Sequence, residues 1–425
     1  MPWSECKCGW FAHRGCRTRR SGIVQGVTEP QRFSEPIIHL DMDAFFVEVE
    51  RLRQPNLIGC PVAVGGAGPR GVVASASYEA RAFGVRSAMP MSRARRTCPR
   101  LIIVPPDHSE YRRLSLQVFE ILRRFSPLLE GLSIDEAFLD VSGLRHHYPH
   151  PIRIAGDMRA SIRSELGLPS SAGIAPNKFL AKLASAEAKP DGLLHVPETG
   201  IRDFLNPLLV RKLWGVGEAT YAQLEKLGVV TIGDLAEIPL ETLRRRVGSS
   251  LGHHLHRLSH GIDERPVEGG GEAKSISVEE TYSVDIEDED QIEAELLRHS
   301  ERVADRLRRA GFSGRTVSLK VRFSDFTTIS RSRTLESPTN VGRDIYKAAL
   351  QLLTGAEVNG RPVRLLGVGL SSLDESDAPH QLATDRPATW DDLADAVSKV
   401  RGRFGVDAVG PARLSDPVRD QRADS

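Results

Sequence analysis

The pattern of apolar and polar positions changes abruptly at Ile37. Before it, residues 1–34 show no apolar periodicity and carry Arg14, Arg17, Arg19 and Arg20, the composition of a disordered tail. Ile37-Ile38-His39-Leu40 is a short apolar run suited to a buried strand, and it ends on Asp41-Met42-Asp43. Phe45, Phe46, Val49 and Leu52 then recur at helical spacing until Pro55 stops the pattern. Further on, residues 71–76 predict a second strand and residues 111–125 an amphipathic helix. Residues 132–141 predict a strand with Ser133-Ile134-Asp135-Glu136 early in it, 171–175 another, and 177–189 a helix ended by Pro190. Elements interleaved in this way predict an α+β sheet with helices on one face.

After Pro207 the chain reads as helical and loop-rich, with Gly215-Val216-Gly217 and Gly228 at tight turns. Residues 266–274, containing Gly269-Gly270-Gly271, read as a flexible linker. The pattern is mixed again over 277–373: a strand, a basic helix at 292–310, strands at 316–323 and 327–334, a helix from Asp344 and a last strand at 364–370. That is an independent α/β domain of about 100 residues. The polar composition beyond Leu373 predicts disorder, apart from a possible helix at 390–404.

Composition adds little until it is localised. With 57 basic and 56 acidic residues the net charge is +1, which argues neither for nor against a nucleic-acid partner. Basic residues do concentrate at 93–100, 244–246 and 302–333, and acids at 285–295, so local basic surfaces are expected. No stretch approaches the roughly 18 consecutive apolar residues of a spanning helix, and the start lacks a secretory apolar run, so no membrane partner and a cytoplasmic location are expected. The 5 cysteines follow no framework spacing and are expected to be reduced, with Cys60 and Cys98 as packing residues. Cys6, Cys8, His13 and Cys16 suggest a zinc site, but Cys6-Lys7-Cys8 is tighter than the usual loop of about two to four residues, which favours an unstructured leader.

The candidate chemistry lies in acids that are distant in sequence. Asp41 and Asp43 close one strand, and Asp135 and Glu136 sit in another strand-rich segment. Strands paired about 4.8 Å apart bring such carboxylates close enough to share hard cations, whereas without metal they repel. Magnesium takes carboxylates together with substrate phosphates, and a pair of ions suits in-line phosphoryl displacement. Either acidic motif alone is more often a solvated strand end or a helix cap.

Four motifs in order decide the reading. Leu40-Asp41-Met42-Asp43-Ala44-Phe45-Phe46, Ala76-Ser77-Tyr78-Glu79-Ala80-Arg81-Ala82-Phe83-Gly84-Val85, Ser133-Ile134-Asp135-Glu136-Ala137-Phe138-Leu139-Asp140 and Ala188-Lys189-Pro190-Asp191-Gly192 closely resemble the Y-family DNA polymerases. The likeness runs from about Ile37 to Leu373. It implies a right-hand polymerase: a disordered tail over 1–34, a palm over 35–44 and 107–200, fingers over 45–106, a helical thumb with a helix-hairpin-helix over 201–265, a linker over 266–273, a little-finger α/β domain over 274–373 and a C-terminal tail over 374–425.

The resemblance further implies Asp41, Asp135 and Glu136 as catalytic metal-binding acids, with the Met42 carbonyl as a further ligand for two Mg2+ ions that Mn2+ can replace. It makes Asp43 structural. Tyr78, Arg81, Lys189 and Ser75 would hold the incoming deoxynucleoside triphosphate, for which a guanidinium fork, a mobile ammonium and hydroxyls are suitable groups. Phe46 matches the steric gate against a 2′-hydroxyl, and small Ala74, Ser87 and Ala88 imply a roomy pocket of low fidelity. Gly215 and Gly217 in Leu213-Trp214-Gly215-Val216-Gly217 suit a DNA phosphate, and Arg322, Arg331 and Arg333 the template backbone.

The implied activity is template-directed, error-prone primer extension by a monomer, in translesion synthesis and repair, without a proofreading domain. Gln381-Leu382-Ala383-Thr384-Asp385 keeps the start of a sliding-clamp peptide but lacks its aromatic anchor, so clamp binding there is doubtful. A non-catalytic relative acting as a scaffold at damaged DNA would normally lack the three acids. A nucleotidyl cyclase would lack the thumb-like and basic C-terminal segments.

Overall fold

Ile37–Met42 (β1) is buried along almost its whole length, as expected of a central strand. The structure, a computed structural model, describes residues 33–270, 273–356, 358, 360–375, 390–405 and 408–414. The Cys6/Cys8/His13/Cys16 group and Gln381–Asp385 lie outside them.

Phe45–Arg53 (α1) follows β1 directly. Val62–Gly65 (β2), Val73–Ala76 (β3) and Ile102–Val104 (β4) form a small sheet in the order β3-β2-β4. Tyr78–Ala82 (α2) and Met91–Thr97 (α3) belong to the same region, whose separate small core includes Val73, Val85 and Met91.

Next come His108–Arg123 (α4), Leu129–Gly131 (β5), Glu136–Asp140 (β6), Pro151–Leu166 (α5), Ser170–Ala175 (β7), Lys178–Ala188 (α6) and Leu193–His195 (β8). They complete a five-stranded sheet in the order β5-β6-β1-β7-β8. Two expectations need correction here. The strand expected over 132–141 begins only at Glu136, and Ser133, Ile134 and Asp135 form the turn after β5. Helices also cover both faces of the sheet. Ile38, Leu40 and Met42 share a core with Tyr111, Val118, Met158 and Ile162 of α4 and α5, whereas Ile37, Phe138 and Ala175 pack with Phe179, Leu180 and Ala184 of α6. The period of two along β1 gives each face its own apolar set.

Short helices follow: Ile201–Leu205 (α7), Glu218–Glu225 (α8), Ile232–Ala236 (α9), Leu240–Val247 (α10) and Ser249–Ser259 (α11). Their core is continuous with that of α6, which fixes this helical unit to the sheet. The expected linker is not free at its start: Val267 is buried, the Lys178 ammonium donates to the Pro266 carbonyl at 3.1 Å, and the Glu268 N–H donates to Glu130 at 2.9 Å.

The last unit is built from Ser275–Ile286 (β9), Glu289–Ala310 (α12), Phe312–Phe323 (β10), Thr328–Thr339 (β11), Gly342–Thr354 (α13) and Val363–Glu375 (β12), with strand order β11-β10-β12-β9. Leu296, Val303 and Leu307 of α12 and Ile345 of α13 share its core with Val317, Leu319 and Val321. Trp390–Phe404 (α14) is a helix over the range suggested by the sequence, within the otherwise polar C-terminal segment, and it is docked. Arg401 is buried and reaches Glu301 of α12 at 3.3 Å, and Arg343 of α13 lies over the Trp390 ring.

Candidate active site

The register of β1 against β6 places Asp41 opposite Glu136, and the Met42 N–H donates to the Asp135 carbonyl at 2.9 Å. Acids separated by some ninety residues are therefore neighbours on the backbone. Their side chains, however, each hold a partner. Asp41 Oδ1 accepts from Lys189 Nζ at 2.5 Å, Glu136 pairs with Lys182, and Asp135 accepts from the Ser133 hydroxyl.

The charges are set by these surroundings. Burial pushes the Asp41 carboxyl up to about 6, and the nearby Asp135 and Glu136 add to this while Lys189 opposes it. Glu136 is held down to about 2, first by His39 and then by Lys182. His39 is fully buried on the same face of β1 as Asp41, with Nδ1 at 2.7 Å from Ser185 Oγ and Nε2 at 3.4 Å from Glu136. Burial lowers its pKa to about 4, so the ring is neutral at pH 7.

Lys182 was not singled out from the sequence, although a signal existed. Lys178, Lys182, Ser185 and Lys189 recur at helical spacings of 4, 3 and 4 along α6 and its end, one stripe in which Lys182 reaches Glu136, Ser185 reaches His39, Lys189 reaches Asp41 and Lys178 reaches Glu130. Close packing holds that stripe in place. A Cβ on Gly173 would come within 2.0 Å of the Ala181 carbonyl, so only glycine lets α6 lie this near β7. At the N-terminus of α6, the Asn177 side chain caps the helix by accepting the Leu180 N–H at 3.0 Å.

Asp43 is buried and accepts from the Tyr78 hydroxyl at 2.9 Å, the Ser171 hydroxyl at 3.0 Å and the Asp191 N–H at 2.7 Å. One carboxylate thereby joins α2, β7 and the loop carrying Lys189. Tyr78, expected on the triphosphate, here bonds to Asp43, and the Arg81 guanidinium lies over its ring while donating to the Ala76 carbonyl. Ser75 is buried on β3, and Ala74, Ser87 and Ala88 are exposed beside it in the same region.

The Phe46 ring is half-buried and stacked on Tyr111 at 4.2 Å with an interplanar angle of 12°. Tyr111, fully buried and donating to Glu50 at 2.7 Å, is a backing residue that the sequence did not single out.

Gly215 has φ +97°, a conformation that favours glycine, and Gly217 precedes α8 with no side-chain cap. Arg322, Arg331 and Arg333 are not all on one face of the four-stranded sheet. In the β10–β11 register Arg331 lies opposite Leu319 and Arg333 opposite Val317, both core residues, so these two share the helix-bearing side. Arg333 accordingly bonds to Gln351 of α13. Arg322, opposite Thr328, is on the other face.

A mixed sheet carrying paired acids, flanked by a small three-stranded sheet, a helical unit and a separate four-stranded domain, is the architecture of a right-hand polymerase. Residues 40–186 match the profile of the impB/mucB/samB family, 273–384 that of the impB/mucB/samB family C-terminal domain, and 211–263 that of the DNA polymerase-iota thumb domain. The chain is 47% identical over 360 residues to DNA polymerase IV of Streptomyces coelicolor, covering 84% of this chain and 75% of that one. It is 44% identical over 391 residues to DNA polymerase IV of Desulfatibacillum aliphaticivorans, covering 90% and 97%. Among solved structures, a Y-family DNA polymerase chimera of Dbh and Dpo4 superposes with a TM-score of 0.71 at 26% identity, covering 79% of this chain and 98% of that one. An insertion ternary complex of Dbh DNA polymerase gives a TM-score of 0.60 at 26% identity with the same coverage. The chain belongs to the Y family of DNA polymerases, in its DNA polymerase IV group, and is a DNA-directed DNA polymerase.

Proposed function

We propose that this polymerase extends a primer 3′ end on a DNA template, including damaged template, with two-cation catalysis and without proofreading. The observation that carries this reading is the pairing of Asp41 with Glu136 across β1 and β6, with Asp135 on the adjoining turn. The donor set suits magnesium: hard carboxylate oxygens and the Met42 carbonyl, around Asp41, whose carboxyl is pushed up by burial first and by the neighbouring acids second. Asp41, Met42, Asp135 and Glu136 would hold the ions, with manganese able to replace magnesium. Bound there, the pair supplies charge stabilisation to the attacking and leaving oxygens of an in-line displacement.

The chain's own groups then act on the nucleotide. Lys189 and Arg81 bind triphosphate oxygens, Ser75 and Tyr78 add hydroxyl donors, and Phe46, backed by Tyr111, closes the space a 2′-hydroxyl would need. The primer hydroxyl displaces pyrophosphate from the α-phosphorus, and Lys189 and Arg81 neutralise charge on the leaving group. We assign 35–44 and 107–200 to the palm, 45–106 to the fingers, 201–265 to the thumb and 274–373 to the little finger. Gly215, Gly217, Arg322, Arg331 and Arg333 are assigned to DNA phosphates.

Primer extension by the purified chain, with Asp135→Ala as control, tests the proposal. Extension in magnesium that is lost in the variant is expected. Equal extension by both proteins would remove the acids from the mechanism and leave a scaffold role at damaged DNA as the surviving reading.

A further inference from the structure

Away from the catalytic acids, toward the start of β1, three side chains converge from separate elements. Glu35 leads into β1, His150 caps α5 and His195 ends the edge strand β8. One ligand atom from each lies within 4.8 Å of the other two. His195 Nε2 stands 3.7 Å from Glu35 Oε2, and the His150 and His195 rings meet edge-on with centroids 5.0 Å apart. Glu35 is buried and oriented by the Glu198 N–H, which donates to its Oε1 at 3.2 Å. His150 Nδ1 accepts the Ile152 N–H, so in the metal-free chain the ring proton sits on Nε2; coordination through Nε2 moves that proton to Nδ1 and gives up this cap bond.

One detail does not fit a merely structural cluster. His195 Nε2 is buried with no acceptor at hydrogen-bond distance, Glu35 Oε2 at 3.7 Å being an ion-pair contact too long for one. A ligand at that atom would resolve it.

We propose that Glu35, His150 and His195 bind one divalent transition-metal ion of the zinc, nickel or cobalt class, separately from the catalytic acids. Two imidazoles and one carboxylate form a nitrogen-rich set that such ions prefer and magnesium does not. Ligand atoms about 2.0–2.2 Å from a tetrahedral ion lie roughly 3.4 Å apart, so side-chain rotation suffices to close the site. His150 also lines a surface depression with His147, Tyr148, Pro149 and Arg153, and water would supply the fourth ligand from that side. The ion would tie the entry of β1, the start of α5 and the edge strand β8 together, and so act as a staple on the palm.

The test uses the full chain, stripped of metal and equilibrated with zinc in magnesium buffer. Bound zinc per chain and the zinc-induced rise in melting temperature are measured for the wild type, His150→Gln, His195→Gln and Glu35→Gln, with folding checked by circular dichroism. Each variant is expected to bind one zinc fewer and to lose most of the rise. If His195→Gln does not fold, His150→Gln decides the matter, because His150 is a helix-cap residue outside the buried core.

Cobalt absorption separates this site from the cysteines near the N-terminus. The lost equivalent is expected to show ligand-field bands without thiolate charge transfer. Unchanged zinc content and an unchanged thermal shift in His150→Gln and Glu35→Gln would overturn the proposal, as would a thiolate signature on the lost equivalent.

Discussion

Lys189 Nζ sits 2.5 Å from Asp41 Oδ1 and 3.2 Å from the Met42 carbonyl, so an ammonium occupies the oxygens proposed as metal ligands. A cation that must leave before another binds makes the two events competitive. Lys189→Ala is expected to tighten magnesium binding in the absence of nucleotide while raising the KM for deoxynucleotides by about tenfold or more, the loss of one charged hydrogen bond. Magnesium calorimetry beside steady-state kinetics checks both signs. Weaker magnesium binding in the variant would show that Lys189 does not compete for these oxygens.

His39 supplies a pH dependence. Its pKa in the fold, about 4, is below the 6.5 of the free side chain, so the unfolded chain binds the proton more readily. The neutral ring's contribution is complete above pH 6.5 and is lost as the pH falls toward 4, about 3 kcal/mol in all. Asp41, raised to about 6, acts in the opposite sense in the metal-free protein, because its protonation favours the fold as the pH falls. Urea unfolding of wild type and His39→Gln across pH 4 to 7 isolates the histidine: the gap between the two curves should narrow toward acid. Parallel curves would contradict it.

Phe46 stacks on a buried tyrosine and is therefore held rigidly. Phe46→Ala is expected to raise ribonucleotide incorporation relative to deoxynucleotide by about a hundredfold or more, since a steric wall is removed. Tyr111→Leu should give a smaller increase, because it loosens the ring without removing it. Single-nucleotide insertion kinetics with paired substrates measure both, and unchanged discrimination in Phe46→Ala would place the gate elsewhere.

Gly173 permits the close approach of α6 to β7, since an added Cβ would meet the Ala181 carbonyl at 2.0 Å and the Ser185 N–H nitrogen at 2.4 Å. Gly173→Ala is expected to destabilise the protein by about 3 kcal/mol, at the upper end of overpacking costs. A melting temperature within a degree of wild type would mean that the backbone yields easily there.

The arginines of the last domain differ in surroundings. Arg322→Ala is expected to lower the slope of log affinity against log salt for primer-template DNA by about 0.9, the loss of one phosphate contact. Arg333→Ala, on the helix-bearing side of the sheet and bonded to Gln351 of α13, should change it less. Fluorescence titrations over a salt series separate them, and an equal or larger effect at Arg333 would reverse the assignment.

Much of this was legible along the chain. The strand Ile37–Met42, the helix broken before Pro55 and the α6 helix stopped by Pro190 follow from periodicity and breakers, and the four motifs with their acids from their resemblance to the Y family. The strand expected from Leu132 begins only at Glu136 because its apolar residues continue through a turn, and the helix at 390–404 was legible although its docking through Arg401 and Trp390 was not. Polar segments that gain order only by contact with another surface carry little local signal.

Local sequence therefore determined which elements form, because propensity and periodicity act over a few residues, and the family motifs named the residues proposed to bear the chemistry. Tertiary structure alone decided their partners: Lys189 on Asp41, Lys182 and His39 on Glu136, Tyr111 behind Phe46, Arg331 and Arg333 on the opposite side of the sheet from Arg322, and Glu35 beside His150 and His195. Each of these depends on strand register and on packing between distant segments. A one-residue slip of register turns every side chain to the other face, and the local pattern of a chain does not record which distant strand it will pair with.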